Sequence, residues 1–396
     1  MTAQALRRSR IDLDDRPFIV IWEATRACAL ACQHCRATAV PLRDPRELTT
    51  EQAYAVMDQV REFGAPPPFF VITGGDPFER PDLFDLVTYG SSIGLPVAVS
   101  PSGTPALHRG NLQRLLDAGA HAISLSLDGA TAATHDAFRG VPGSFDLTMQ
   151  GWSDARDVGL KVQVNTTVTP QNLHELPDIL AMIAQRGVLT WSLFFLVPTG
   201  RGEHLRQLSA QQAEDVLNFC YEADKVVSLK TTEAPSFRRV CVQRLVCEDL
   251  GLDPVDELGL GEVYQHLHNR LAGLDLTTSA QLRRPPLKVS AARGFVFVSH
   301  VGDVYPSGFL PTPAGNITQE SLADVYRSSA LFQSLRDPAA PTGRCGVCEF
   351  NRVCGGSRPR AYGATHDLMA DDPLCGYEPG SFGHAHAVEG LLAAGA

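Results

Sequence analysis

Ala24-Thr25-Arg26-Ala27-Cys28-Ala29-Leu30-Ala31-Cys32-Gln33-His34-Cys35-Arg36, preceded by the apolar run Phe18-Ile19-Val20-Ile21-Trp22, decides how this chain reads. Its three cysteines are spaced C-x3-C-x2-C and follow a strand-like segment. A structural zinc site takes four ligands, usually as two separated pairs. A disulfide framework takes an even count and an oxidising compartment. Three thiolates in one short loop suit a cubane 4Fe–4S cluster better, because each can hold one iron and leave the fourth open to a ligand. A fortuitous cysteine cluster or part of a zinc site is the competing reading.

Working outward, the 396 residues suffice for one large α/β domain and a smaller appendage. Apolar content of 44% and charged content of 20% are those of an ordinary globular protein. A formal net charge of −10 gives no overall attraction to nucleic acid or an anionic membrane. Met1 to Arg10 has no apolar stretch of signal-peptide type, and no apolar run approaches a membrane span. Ten cysteines in such a chain favour metal ligation in a reducing cytoplasm over disulfides.

Short apolar runs at 18–23, 69–72, 96–100, 121–127, 161–168 and 190–197 alternate with amphipathic helical stretches, which predicts a parallel sheet. Six such units are two short of a closed (β/α)8 barrel. In barrels of this kind the chemistry collects at the C-terminal strand ends. The cysteine loop follows the first strand, Thr73-Gly74-Gly75-Asp76-Pro77 follows the second, Ser126 ends the fourth and Asn165 lies in the fifth. These motifs therefore share one face.

The C-x3-C-x2-C loop resembles the signature of the radical S-adenosylmethionine (SAM) enzymes. That resemblance implies a partial (β/α)6 barrel in which Cys28, Cys32 and Cys35 hold a 4Fe–4S cluster whose open iron chelates SAM. Gly74-Gly75-Asp76-Pro77 resembles the family's GGEP motif, with Asp76 in place of the usual Glu, and implies contact with the SAM amino group. Ser126 and Asn165 match positions near the SAM carboxylate and ribose.

Further along, residues 203–245 read as helical and 246–290 as a bridge without strong periodicity. Cys220, Cys241 and Cys247 lack ligand spacing and, with His266 and His268, read as structural or surface residues. A β-hairpin is predicted around Val301-Gly302. Cys345-x2-Cys348-x5-Cys354, with Cys375 beyond, makes a closed four-thiolate site that fits zinc or 4Fe–4S by spacing. It resembles the SPASM/twitch extension of radical SAM enzymes and implies one auxiliary 4Fe–4S cluster. At the position of a second cluster's G-x4-C element stands Gly302-x4-Ser307, and no cysteine follows Cys354 closely.

The expected organisation is an arm at 1–16, a partial barrel at 17–240, a bridge at 241–290, a SPASM/twitch unit at 291–380 and a flexible tail at 381–396. His135–Gly140, Val164–Thr167, Pro198–Gly202 and Cys345–Tyr362 look like the branch holding the heme-pathway radical SAM decarboxylases, which act on porphyrin propionates. The resemblance implies a cytoplasmic oxidoreductase fed by a reductant such as flavodoxin or ferredoxin. Arg201, in its Gly-flanked loop, and Arg139 are the candidate carboxylate clamps. The alternatives are radical maturation of a ribosomally made peptide and a non-catalytic iron–sulfur or zinc-binding protein.

Overall fold

A computed structural model describes residues 6–7, 9–278 and 285–395 of the chain. The first strand, β1 (Ile19–Thr25), is a run of β-branched and aromatic side chains suited to a pleated sheet. It is followed by α1 (Thr50–Arg61), which opens on a capping box between Thr49 and Gln52. The alternation continues through β2 (Phe69–Gly74), α2 (Leu83–Ser92), β3 (Val97–Val99), α3 (Arg109–Asp117) and β4 (Ala122–Ser126). Then come α4 (Ala132–Arg139), α5 (Ser144–Val158), β5 (Val162–Val168), α6 (Leu176–Arg186) and β6 (Thr190–Phe195). All six predicted strands are present, and neighbours pair in parallel.

The sheet runs further than six strands. After α7 (Ala210–Ala223) comes β7 (Leu229–Thr232), parallel to β6, and then α8 (Ser236–Leu250). The stretch 203–245, expected to be helical, thus contains a seventh strand. Its sequence Leu-Lys-Thr-Thr is short and polar, with no apolar run to announce it. On the other side of β1, β8 (Phe295–Val298) also pairs in parallel, followed by the antiparallel β9 (Asp303–Tyr305) and β10 (Gly315–Asn316). The order is β10-β9-β8-β1-β2-β3-β4-β5-β6-β7, so the parallel run stays open between β7 and β8. The predicted hairpin turns at Val301-Gly302 as expected, but it extends the barrel sheet instead of starting a separate one.

Alternation within the strands sets the two faces of this sheet. Val20, Trp22, Phe70, Ile72, Val97 and Val99 are fully buried in the core shared with the outer helices. Ile19, Val71, Ala98, Ser124, Asn165 and Phe194, from the opposite faces of their strands, all line one cavity of about 790 Å³. A sheet whose inner face surrounds one cavity but leaves a gap is a partial barrel. Cys220, Cys241 and Cys247 are buried among apolar side chains, which settles the choice between structural and surface roles.

Two further segments are more ordered than the sequence suggested. The bridge carries the end of α8 and a helix Glu262–Ala272, which packs on α7 and α6. The presumed flexible tail forms a helix, Ala385–Gly395, that packs on α8 and buries Val388. One arginine fastens the C-terminal part to the barrel. Arg360, only 1% exposed, donates to the carbonyls of Phe195 and Leu196 at the end of β6 at 3.1 Å each, and to that of Glu233. Its charge is met by the buried Asp372 carboxylate at 3.1 Å. A buried guanidinium needs such full satisfaction, because unpaired it costs several kcal/mol.

Candidate active site

The cysteine loop leaves the end of β1 and is held by backbone contacts from every side. Gly75 N–H donates to Thr25 O at 2.8 Å and Asp76 N–H to Ala27 O at 2.7 Å. A Cβ at Gly74 would lie 2.2 Å from Thr25 O, and one at Gly75 only 2.1 Å from Ala27 O. Both glycines are therefore required by the close approach of this turn to the cysteine loop. On the far side, Gln33 N–H donates to Phe138 O at 3.0 Å and Arg201 N–H to Cys35 O at 3.1 Å.

Cys28, Cys32 and Cys35 all line the cavity. Peptide N–H groups of Leu30 and Ala39 lie 3.3 and 3.4 Å from the sulfurs of Cys28 and Cys35, and Arg139 Nη1 is 3.6 Å from that of Cys32. Such donors stabilise sulfur carrying negative charge. Burial raises the Cys28 thiol above its usual range, so its proton leaves when an electropositive metal takes its place. The donor set and the open cavity beside it fit a 4Fe–4S cluster with one exposed iron.

The predicted cofactor residues separate into two groups. Gly74, Gly75, Ser126 and Asn165 line the cavity, and Ser126 at the end of β4 is the register partner of Asn165 in the middle of β5. The carboxylate of Asp76 is turned away from it. It is fully buried and accepts from Phe78 N–H at 3.2 Å and Thr104 Oγ1 at 2.8 Å. With one methylene fewer than Glu, the side chain caps its own turn.

Arg201 and Arg139 are both committed to the cysteine loop. Arg201 Nε donates to Cys32 O at 2.8 Å and Nη1 to Ala39 O at 3.4 Å, leaving Nη2 buried without a partner. Arg139 pairs with the fully buried Asp128, whose other oxygen accepts from Thr167 N–H at 2.6 Å. Burial is the strongest single influence and opposes the Asp128 charge, but Arg139, the neighbouring histidines and the Thr167 N–H together keep the carboxyl below its usual range. These arginines support the cysteine loop, which their sequence context did not show.

Several neighbours had no sequence signal of their own. Glu23 on β1 binds Arg36 and, at 3.1 Å, His300 from the β8–β9 turn, while Arg36 lies over the Phe297 ring at 4.4 Å. His34, stacked on Phe138 at 4.5 Å between centroids, is pushed down to about 3 by burial and by Arg139, so its ring is neutral. Glu233, directly after β7, lines the cavity with a backbone φ of 55°, held there by Arg360. Burial raises its carboxyl, which accepts from Ser307 at 2.8 Å and Ser357 at 2.6 Å.

The four late cysteines ring a hollow of about 20 Å³. Burial pushes Cys348 and Cys354 up to about 11 and Cys375 to about 12, so these thiols stay protonated until metal binds. Arg358 Nη2 lies 3.6 Å from the Cys345 sulfur, and Arg238, buried with no carboxylate partner among the described residues, donates to Cys354 O at 3.0 Å. This positive surround fits an anionic four-thiolate group. Among the described residues no three His, Cys, Asp or Glu side chains are arranged to hold one metal ion. A cubane places each thiolate on its own iron and accepts that wider spacing. At the second cluster position no thiol is offered, since the Ser307 hydroxyl is taken by Glu233.

The model of the radical SAM superfamily matches residues 22–183, and the chain belongs to that superfamily. It is a SAM-dependent radical enzyme, which excludes the non-catalytic alternative. The chain is 39% identical to an AdoMet-dependent heme synthase of Nitratidesulfovibrio vulgaris, over 91% of this chain and 92% of that protein. It is 36% identical to an AdoMet-dependent heme synthase of Methanosarcina barkeri, over 93% and 99%. The crystal structure of Streptococcus suis SuiB bound to precursor peptide SuiA shares the fold, with a TM-score of 0.65 at 15% identity, covering 92% of this chain and 76% of that one.

Proposed function

We propose that this protein oxidatively decarboxylates a propionate side chain of a porphyrin in heme biosynthesis. Cys28, Cys32 and Cys35 hold the SAM-binding 4Fe–4S cluster, and Gly74, Gly75, Ser126 and Asn165 contact SAM. Asp76 acts indirectly, by fixing the turn that carries the glycines. When bound, the cluster and SAM supply a 5′-deoxyadenosyl radical that takes hydrogen from the substrate. Cys345, Cys348, Cys354 and Cys375 hold one auxiliary 4Fe–4S cluster, suited to accepting the electron released on decarboxylation. A flavodoxin or ferredoxin in the cytoplasm fits as reductant. No helix among the described residues is long and apolar enough to cross a membrane.

The observation that carries this reading is the charge of the cavity. In a chain of net charge −10, eleven Arg and Lys side chains among the described residues line it against two carboxylates, Glu233 and Asp337. A volume of about 790 Å³ is in the range of sites that enclose a large organic ligand. The cavity therefore suits a bulky polycarboxylate together with SAM.

The test is anaerobic turnover of the reconstituted protein with SAM, a strong reductant and iron-coproporphyrin III. The expected outcome is a tetrapyrrole lighter by CO2 and two hydrogens per propionate, formed with 5′-deoxyadenosine. If 5′-deoxyadenosine forms while every tetrapyrrole carboxylate is recovered unchanged, the substrate is of another class, a peptide first among them.

A further inference from the structure

Most cations of the cavity have partners. Arg36 and Arg139 pair with Glu23 and Asp128, and Arg293 with Asp14 at 2.8 Å. Lys288 and Arg352 also line the cavity, yet neither makes a hydrogen bond or ion pair with a described residue. Lys288 sits in a pinned segment: Arg238 Nη1 donates to the flanking carbonyls of Val289 at 2.7 Å and Leu287 at 3.4 Å. Its charged neighbours are Arg293, Arg238 and Arg352, with Asp14 alone of opposite sign. Arg336, on the same cavity wall, keeps a buried Nη2 without a partner.

Like charges crowded in a partly desolvated wall repel strongly, and an anion placed among them turns repulsion into attraction. The location of this cluster adds a constraint. Phe295 pairs with Ile19 at the start of β1, so Arg293 lies at the opposite end of that strand from the cysteine loop. A seven-residue strand spans roughly 20 Å. Arg293 therefore lies away from the cysteine loop, while Arg238, in the first turn of α8 after the C-terminal end of β7, ties the segment of Lys288 towards the reacting end.

We propose that Lys288 and Arg352, with the positive charge of Arg293 beside them, bind a propionate carboxylate other than the one that reacts, and so select which propionate faces the cysteine loop. The site rests on the tetrapyrrole reading and adds a specificity determinant to it. Lysine acts here as a point charge, while the guanidinium fork of Arg352 fixes the direction of the carboxylate and Arg293, engaged by Asp14, adds only its field. A neutral ester of the same macrocycle would gain nothing from the cluster.

The experiment follows the Soret band of iron-coproporphyrin III on titration with the anaerobically reconstituted protein, and repeats it with the tetramethyl ester. Lys288→Met should weaken binding of the tetracarboxylate tenfold or more, Lys288→Arg should restore most of it, and the ester should bind wild type and Lys288→Met alike. Arg352→Gln, at an exposed position whose loss leaves the core intact, should weaken the tetracarboxylate severalfold. If wild type binds and both Lys288→Met and Arg352→Gln bind within twofold of it, the proposed site is wrong while the tetrapyrrole reading stands. If wild type binds no tetrapyrrole carboxylate, the substrate reading and this site fall together.

Discussion

The two cysteine sites of this molecule use the same ligand and differ in what lies beside it. The triad of Cys28, Cys32 and Cys35 borders a cavity of about 790 Å³, whereas Cys345, Cys348, Cys354 and Cys375 close around about 20 Å³. Three thiolates beside a large cavity would leave one iron of a cubane open to SAM, and four thiolates around a small hollow would leave none. The supports differ accordingly. The triad loop is held mostly by backbone hydrogen bonds from the ends of several barrel strands, while the late site is packed among Arg238, Arg239, Arg344 and Arg358. Ligand number and the room beside it, more than ligand chemistry, distinguish the two sites.

Removing each set of ligands should break the comparison most visibly. Changing Cys28, Cys32 and Cys35 to Ala should abolish 5′-deoxyadenosine formation without changing the far-ultraviolet circular dichroism. Changing Cys345, Cys348 and Cys375 to Ala should preserve SAM cleavage. Iron should fall from about eight per chain to about four in either variant if both sites hold cubanes. About four irons plus one zinc in wild type would identify the late site as zinc-bound.

The joint between the two regions comes next in size. Arg360→Met leaves Asp372 buried and unpaired and frees three carbonyls, so it should cost about 3–5 kcal/mol in chemical denaturation. An unchanged denaturation midpoint would mean that the late region docks without this staple. A smaller effect is expected at Lys288. Burial, with Arg293 and Arg238, brings Lys288 down to about 8, so it is charged at pH 7 and largely neutral at pH 9. Affinity for a tetracarboxylate porphyrin should be full below pH 8 and fall as pH rises through it, by about tenfold or 1.4 kcal/mol. Lys288→Met should flatten that profile; the other charges facing Lys288 are Arg352 and Asp14. Smallest of all, Ser126→Ala should raise the KM for SAM severalfold, near the roughly 1 kcal/mol of one hydrogen bond.

What the sequence disclosed was whatever is local. The cysteine spacing, the Gly-Gly-Asp turn and six apolar strands each occupy a few consecutive residues, and each was found where expected. What it hid depends on partners distant in the chain. Arg201 in a Gly-flanked loop is equally suited to a ligand or to the carbonyls of Cys32 and Ala39, and only the fold brings those carbonyls to it. Strand β7 has four residues, three of them polar, and is specified by its pairing with β6. Glu233, the Arg360–Asp372 pair and Lys288 likewise carry no motif. The Gly-Gly-Asp turn was legible in position but not in role, since its glycines answer to Thr25 and Ala27 and its aspartate to Thr104.

Electron paramagnetic resonance of the reduced protein, with and without SAM, tests the distinction between the three-thiolate and four-thiolate sites most directly. The protein lacking the cysteines of the late site should give a reduced-cluster signal that SAM shifts, because the remaining cluster has an iron facing the cavity. The protein lacking Cys28, Cys32 and Cys35 should give a signal that SAM leaves unchanged. A SAM-dependent shift in the protein without the triad would contradict the account.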